Sequence, residues 1–401
     1  MVSRDDPDVT PHIWTAQYPF YKHNWDSTGF LFPAIYTSAF EHLLMDSVPF
    51  DFDVLTELTE TSGVPGYEDR IRARVIDRLE GSVDRVRTDA MGNVVGTLEG
   101  ADDSDYSVAV AAHMDEIGFM VRHVRGEEDG PGFLELDALG GWDARVLKAQ
   151  RVTIHTTEGD LPGVIGSPPP HTLDEDERSK TPEVEDAFVD PGLPYDVLEE
   201  RVSPGDLVTM EQTTELMGET VTGKALDDRV CLFAMLEAAE RLEEPDVTVH
   251  FCATVQEEVG LRGAQALGVD VDPDLAIALD VTVANDVPGF KAGEHVTDLG
   301  EGTAIKLKDS SVITSPKVHR RLKSVAEDEE IDYQLEILPA GGTDTAGFQN
   351  VAGAKPVGAI SIPTRYLHTV TETAHVDDVA ATIDLLEAFL ESEDGEHDYT
   401  L

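Results

Sequence analysis

The stretch VTVHFCATVQEE, residues 247–258, is a run of apolar and β-branched residues that ends in two adjacent glutamates. Such a run is typical of a buried strand. Three further segments have the same character, at 106–113, 274–280 and 355–368. Helical patterns alternate with them, at 227–244, 315–329 and 375–393. This order predicts an α/β fold with a mixed, largely parallel sheet flanked by helices.

Residues 116–210 differ from the segments on either side. They are rich in glycine, short strand patterns and turns, and they contain little helix. We therefore expect a small β-rich domain inserted into an α/β domain made of residues 45–115 and 211–393, followed by an acidic tail at 394–401. A polar loop that contains prolines, residues 168–188, lies inside the insert.

The first 44 residues have a different composition from the rest of the chain. They carry five acids and two bases, and they hold nine of the 26 aromatic residues. A composition break of this kind marks a boundary. We expect residues 1–44 to be an atypical extension, either upstream sequence that is absent from the native product or a poorly ordered arm.

The formal net charge is −51, from 80 acids and 29 bases, and the acids are spread along most of the chain. A surface this negative needs screening by salt, which indicates adaptation to a cytoplasm of molar salt. It argues against nucleic acid or an anionic membrane as a partner, since both are polyanions. No apolar run is long enough to cross a membrane, and the N-terminus lacks a signal-peptide pattern, so we expect a cytoplasmic protein.

Two cysteines, Cys231 and Cys252, lie in apolar surroundings without metal-type spacing. We expect both to be buried small hydrophobic residues in a reducing compartment.

Residue types that bind metal ions stand at the end of each predicted strand and at the start of one helix. They are His113, Asp115, Asp227, Glu257, Glu258, Asp280 and His368. In open α/β sheets the carboxyl ends of the strands gather at one edge, where ligands bind. Burying so many acids together needs compensating positive charge. Imidazole and carboxylate ligands suit zinc, cobalt or manganese, and an acid shared by two ions would make a dinuclear centre.

The adjacent residues Glu257 and Glu258 are predicted to have two different roles. Successive side chains of a strand point in opposite directions, so the two carboxylates do not easily serve one ion together. One can bind a metal ion while the other takes a proton from an acidified water and passes it to a leaving amine. For the pair alone, two solvent-exposed acids in an acid-rich protein would be the favoured explanation, but the other candidate ligands at the strand ends reverse that preference.

Seven motifs carry a resemblance to a known family. They are HMDEIGFMV (113–121), GVIGSPPPH (163–171), GKALDDRVC (223–231), VQEEVGLRGA (255–264), ALDVTVANDVPG (278–289), GGTDTAG (341–347) and IPTRYLHT (362–369). In this order and spacing, the chain resembles the dinuclear metallo-aminopeptidases of the tetrahedral and glutamyl aminopeptidase type, some of which carry the name endoglucanase. The resemblance covers residues 45 to about 392.

The resemblance implies two divalent ions, with zinc or cobalt favoured. His113 and Asp280 would bind one ion, Glu258 and His368 the other, and Asp227 would bridge them. Glu257 would be the general base, and Asp115 would orient His113. It also implies a cis bond between Asp227 and Asp228.

The family resemblance further implies that the β-rich insert mediates dimerisation, on the way to hollow dodecamers, and that the substrates are peptides with a free N-terminus. The GGTDTAG segment is a candidate substrate loop, represented by Gly341, Gly342, Thr343 and Asp344, because its glycines allow close approach of a ligand. An ordinary turn is the alternative.

Two other classes of function are open to the same residues. A glycosidase needs two carboxylates that face each other across one bond, whereas Glu257 and Glu258 are predicted to point apart. A catalytically dead metal-binding scaffold is the third class, although every catalytic position of the family is filled.

Overall fold

The computed structural model describes residues 48–101 and 104–401. The predicted N-terminal extension, residues 1–44, lies wholly outside the described residues. In the described part of the chain, no helix is both long enough and apolar enough to cross a membrane.

The described chain contains nine α-helices. They are α1 (Phe52–Glu60), α2 (Asp69–Leu79), α3 (Glu175–Ser179), α4 (Tyr195–Arg201), α5 (Leu226–Arg241), α6 (Arg262–Asp270), α7 (Pro316–Asp328), α8 (Thr345–Gln349) and α9 (Val376–Glu391). Short 3-10 helices lie at Pro170–Thr172, Val184–Asp186 and Ala292–Glu294.

The same residues form 17 strands. They are β1 (Arg85–Thr88), β2 (Val94–Leu98), β3 (Ser107–His113), β4 (Gly118–Arg125), β5 (Phe133–Leu139), β6 (Arg151–Thr156), β7 (Gly159–Ile165), β8 (Phe188–Asp190), β9 (Leu207–Met210), β10 (Glu215–Met217), β11 (Thr220–Gly223), β12 (Thr248–Thr254), β13 (Leu275–Val283), β14 (Thr303–Lys308), β15 (Tyr333–Ile337), β16 (Val357–Arg365) and β17 (Glu372–His375).

A mixed sheet of eleven described strands forms the centre of the α/β domain. Its order is β1-β2-β12-β3-β13-β16-β17-β11-β10, and β14 pairs with both β16 and β15. The four middle strands, β12, β3, β13 and β16, run parallel to one another. These are the strands that the sequence predicts, and they are almost fully buried because helices cover both faces of a parallel sheet. The predicted fold class is confirmed.

Helix α5 is apolar around most of its circumference, which is typical of a helix enclosed by the core. Its buried residues include Val230, Phe233 and Met235. Cys231 on this helix and Cys252 on β12 are buried free thiols, as predicted.

The predicted β-rich insert is a closed barrel of six strands in the order β4-β5-β8-β7-β6-β9. It has its own apolar core, formed by alternate residues of its strands such as Phe119, Leu134, Ile154 and Val208. After α9, the acidic C-terminal segment packs back onto the domain. Tyr399 is buried, with its hydroxyl 2.5 Å from Glu393 Oε1.

A buried arginine on α5 joins three parts of the α/β domain. Arg229 donates from Nε to the carbonyl oxygen of Met114 at 2.7 Å, just after β3. Its Nη1 donates to the carbonyl oxygens of Leu58 and Thr61, at 2.5 and 2.7 Å, at the end of α1. Glu116, 3.9 Å from Nη2, adds a carboxylate that also pairs with Lys224 at 2.8 Å. Arg229 therefore ties α1 and α5 to the segment that follows β3.

We expect Arg229→Met to lower the free energy of unfolding by about 3 kcal/mol or more, because buried carbonyl oxygens lose their charged donor. Urea-induced unfolding at constant salt, followed by circular dichroism, measures the loss. Arg241→Met is the matched control at the other end of α5, where the side chain is 33% exposed and pairs with carboxylates at the surface. It should cost less than about 1 kcal/mol. Equal losses for the two variants would contradict the role of Arg229.

Candidate metal centre

The carboxyl ends of the parallel strands bring the predicted ligand residues together. His113 is the last residue of β3, and the register pairs it with Thr254, the last residue of β12. Glu257 and Glu258 follow in the loop after β12, and Asp280 lies within β13. Asp227 is the second residue of α5, and His368 lies in the loop between β16 and β17. One edge of the sheet thus collects imidazoles and carboxylates from five separate segments.

Two groups of possible metal ligands share Asp227. The first consists of His113, Asp227, Asp228 and Asp280, and the second of Asp227, Glu258 and His368. Within each group, one candidate ligand atom from every residue lies within 4.8 Å of the others. Asp227 Oδ1 is 3.1 Å from His113 Nε2, whereas Asp227 Oδ2 is 3.4 Å from His368 Nε2. The two oxygens of one carboxylate therefore face two different histidines.

Both histidines are held by backbone carbonyl oxygens. His113 Nδ1 donates to the carbonyl oxygen of Asp115 at 3.0 Å, and His368 Nδ1 donates to that of Gly141 at 2.6 Å. Because a carbonyl oxygen only accepts, these bonds place the proton on Nδ1 and leave Nε2 as the metal-binding nitrogen. Gly141 belongs to the loop after β5, so the barrel insert positions one of the two histidines.

The Asp115 carboxylate fixes the glutamate pair. Its Oδ1 accepts from the backbone N–H of Glu257 at 3.0 Å, and its Oδ2 accepts from that of Glu258 at 3.1 Å. Its shortest carboxylate contact with the His113 ring is longer, at 3.7 Å. In the structure, residue 115 thus contacts His113 mainly through its carbonyl group and the two glutamates through its side chain.

The two glutamates face different histidines. Glu258 Oε2 is 3.7 Å from His368 Nε2, and Glu257 Oε2 is 4.0 Å from His113 Nε2. Glu258 belongs to the second ligand group, whereas Glu257 belongs to neither group found among the described residues. Glu257 is therefore a carboxylate next to the candidate metal ligands that is itself outside both sets.

Two acidic residues that the sequence analysis did not predict as part of the metal site also lie in this cluster. Asp228 is in the first ligand group, and its Oδ2 accepts from the backbone N–H of His113 at 3.1 Å. Glu372 on β17 accepts from the backbone N–H of Asp227 at 3.0 Å and from that of His368 at 2.8 Å. The Asp227–Asp228 peptide bond is cis, as the resemblance implied. The two adjacent aspartates in the sequence could have indicated that Asp228 belongs to the cluster. Glu372 accepts hydrogen bonds from backbone groups, and no sequence pattern indicates its position.

The pKa values show how much negative charge the cluster concentrates. Burial raises the pKa of Glu257 and of Asp280 well above the usual range, and that of Glu258 to about 8. Burial alone would lower the pKa of His368, but Asp227 and Glu258 raise it to about 10. These are the responses expected of acids that share a buried site without enough positive charge.

The donor set fits divalent cations. Within residues 48–101 and 104–401, Glu258 Oε1 and Asp228 Oδ1 are buried and have no hydrogen-bond partner. Buried carboxylate oxygens are normally paired or bound to a metal ion. Histidine nitrogens with carboxylate oxygens are ligands that zinc and cobalt accept. Cations bound between these groups would offset the charge that otherwise has to be neutralised by protons.

A cavity of about 740 Å³ opens beside the cluster. Asp227, Asp280 and His368 form part of its wall. Three members of the predicted substrate loop, Gly341, Gly342 and Thr343, line it as well. The fourth, Asp344, is buried behind the loop, where its carboxylate contacts the Thr254 hydroxyl.

The M42 glutamyl aminopeptidase family matches residues 92–385 of the chain. The protein belongs to the M42 peptidase family. It is thus an aminopeptidase, a class of hydrolase, and M42 peptidases depend on metal ions. The family that the motifs indicated is confirmed.

Several known aminopeptidases and peptidases are similar to the chain over most of their length. Lysyl aminopeptidase of Pyrococcus furiosus is 36% identical over 350 residues, which cover 85% of this chain and 97% of that protein. The solved aminopeptidase of Desulfurococcus kamchatkensis is 38% identical, with a TM-score of 0.80 over 85% of this chain and 94% of that one. The TET1 peptidase of Pyrococcus horikoshii is 32% identical, with a TM-score of 0.75 over 85% and 99%, and it assembles into a tetrahedron or a large octahedral shell.

We expect Glu372→Gln to weaken metal binding by about 10- to 100-fold, because an amide nitrogen would face a backbone N–H of Asp227 or His368. Metal retained after dialysis against graded concentrations of chelator, measured by mass spectrometry, gives the effect. Glu391→Gln, an exposed change at the end of α9, is the control. Equal metal retention by the two variants would show that Glu372 does not position the ligands.

Proposed function

We propose that this M42 aminopeptidase has a dinuclear metal centre. His113 and Asp280 bind one divalent ion, Glu258 and His368 bind the other, and Asp227 is shared between them. The supporting observation is the position of Asp227, whose two carboxylate oxygens lie 3.1 and 3.4 Å from histidines of different elements. Zinc or cobalt suits this ligand set best.

Bound ions of this kind polarise a carbonyl oxygen and lower the pKa of a coordinated water. Glu257 is the general base in this proposal, since it lies against the His113 group without belonging to it. Its carboxylate accepts a proton from the attacking water and delivers it to the amine of the leaving peptide. Asp115 keeps Glu257 in place through the backbone N–H of that residue.

Recognition of the substrate follows from charge and from backbone shape. The acidic cluster attracts the positively charged amino group of a free N-terminus. Gly341 and Gly342, which carry no Cβ atom, let the peptide backbone approach the wall of the cavity. The substrates are therefore peptides, bound with the first residue next to the metal centre.

A chelator experiment separates this proposal from the other two classes. Turnover of aminoacyl p-nitroanilides should be lost after dialysis against chelator and return with zinc or cobalt. A glycosidase would be indifferent to the chelator, and a dead scaffold would show no turnover. The structure disfavours a glycosidase because Glu257 and Glu258 face different histidines rather than a common bond.

Two variants assign the roles within the centre. Glu257→Gln should lower kcat by about 10²- to 10⁴-fold while the metal content stays unchanged, because the base is lost but no ligand is. Asp227→Ala should lose metal together with activity. Metal analysis and turnover are measured on the same samples. Full activity of Glu257→Gln would refute its role as the base.

We also propose that the protein is a homo-oligomer in which the barrel insert, residues 116–210, mediates the dimer contact. The α/β domain would then comprise residues 45–115 and 211–393. Support comes from the TET1 peptidase of P. horikoshii, which can assemble into a shell. The similarity covers 99% of that peptidase and 85% of this chain.

Salt adaptation is a further part of the proposal, and it rests on the net charge of −51. We expect the thermal midpoint and the oligomer to be maintained in molar potassium chloride and to decline in dilute buffer, because mobile ions screen repulsion between surface acids. Light scattering and circular dichroism measure the two properties. Sucrose is the control, since it stabilises compact states without screening charge. Full stability in dilute buffer, or equal rescue by sucrose, would contradict salt adaptation.

A further inference from the structure

The cavity beside the metal centre continues into an apolar compartment. Besides Asp227, Asp280 and His368, its lining includes half-buried apolar side chains from five segments of the chain. These are Trp142, Val146, Val283, Val296, Leu338 and Leu367. A volume of about 740 Å³ leaves room for a side chain as large as that of phenylalanine. A first residue bound at the metal centre would extend its side chain along this wall.

The compartment offers no free charge among the described residues that line it. Apart from the metal centre, Asp143 is the one charged residue in that lining. Its carboxylate is already bound by Arg145, whose Nε lies 2.8 Å and whose Nη2 lies 2.5 Å from Oδ2. The Arg145 side chain and backbone N–H lower the pKa of Asp143 to about 2, so the group stays ionised and paired. A glutamate side chain of a substrate would therefore find no unpaired cation in this lining, and a lysine side chain would have to compete with Arg145 for Asp143.

Part of the apolar wall is held rigidly by the barrel. Trp142 stacks on Phe119 of β4 with ring centroids 4.9 Å apart. Its Nε1 donates to the carbonyl oxygen of Gly118 at 3.1 Å. The indole ring thus satisfies its polar atom inside the barrel and presents carbon atoms to the cavity. These two contacts fix the position of Trp142 in the wall.

We propose that this compartment selects substrates whose first residue is apolar, such as leucine, methionine or phenylalanine, and that Leu338 is a specificity-determining residue. The inference rests on the proposed function, since it assumes that peptides bind with their first residue at the metal centre. A charged side chain would lose its hydration there without gaining an unpaired partner. An apolar side chain would replace water against carbon atoms. The preference would differ from that named for the lysyl aminopeptidase of P. furiosus, to which the chain is similar.

The experiment compares kcat/KM for leucyl, phenylalanyl, lysyl and glutamyl p-nitroanilides, with the full-length protein loaded with zinc or cobalt at one fixed salt concentration. We expect the two apolar substrates to exceed the two charged ones by at least about tenfold. Lysyl or glutamyl turnover equal to or above leucyl turnover would overturn this inference and leave the proposed function intact. No turnover of any of the four substrates would overturn both.

Binding without turnover gives a second readout. Calorimetry with the Glu257→Gln variant compares the affinities of the dipeptides Leu-Ala, Lys-Ala and Glu-Ala. The same order is expected, with Leu-Ala binding more tightly than either charged dipeptide. Equal affinities would show that the compartment does not contribute to the selection.

A charge placed in the wall should change the preference in a defined direction. Leu338→Lys should raise the ratio of glutamyl to leucyl kcat/KM by at least about tenfold, because it supplies the missing cation. Leu338→Met keeps an apolar side chain and should keep the wild-type ratio. Leu335→Lys makes the same chemical change on β15, where residue 335 is 47% exposed and outside the lining, and it should also leave the ratio unchanged.

Val296→Lys tests the same wall from another segment, should Leu338→Lys fail to fold by circular dichroism. An unchanged ratio in a folded Leu338→Lys or Val296→Lys variant would overturn the assignment of this wall to substrate selection.

Discussion

Negative charge concentrated at one buried edge of the sheet is the constraint on which the rest of the structure depends. Among the described residues, Asp227, Asp228 and Asp280 form one group with His113, and Asp227 and Glu258 form a second group with His368. Acids in such a place are stable only if protons or cations offset their charge. The raised pKa values of Glu258 and Asp280 mean that these carboxyl groups hold their protons more strongly than usual. The buried oxygens of Glu258 and Asp228 that have no hydrogen-bond partner among the described residues are positions where cations would fit.

These groups are held in place by carboxylates that accept hydrogen bonds from backbone N–H groups. Asp115 accepts from the N–H groups of Glu257 and Glu258, and Glu372 accepts from those of Asp227 and His368. Asp115 thereby positions two residues of one loop, and Glu372 positions two residues of different segments. Arg229 extends this arrangement into the core, since it binds the carbonyl oxygen of Met114, between His113 and Asp115. Folding stability and the geometry of the metal centre thus share the same contacts.

The parts of this arrangement that the sequence predicts are those with a periodic or positional signal. The buried parallel strands are apolar throughout, so both their existence and the polar residues at their ends stand out in residues 247–258 and 274–280. Glu372 gave no such signal, because it lies on a short strand and its partners are backbone groups. Asp344 belongs to a recognisable glycine-rich motif, yet only the structure shows that its carboxylate turns towards Thr254 and away from the cavity.

The barrel insert is the part of the chain whose contacts the sequence predicts least well. Its composition predicts a β-rich domain, but nothing in the pattern indicates that it reaches back to the edge of the sheet that carries the candidate metal ligands. The loop after β5 does so twice, through the carbonyl oxygen of Gly141 on His368 and through Trp142 in the wall of the cavity. The sheet therefore supplies the groups that would bind metal and move protons, while the insert helps to shape the space for the side chain of the substrate. Because these two parts are separate in sequence, changes in the insert and in the loop at residues 338–343 can alter the shape and charge of the cavity without removing a metal ligand.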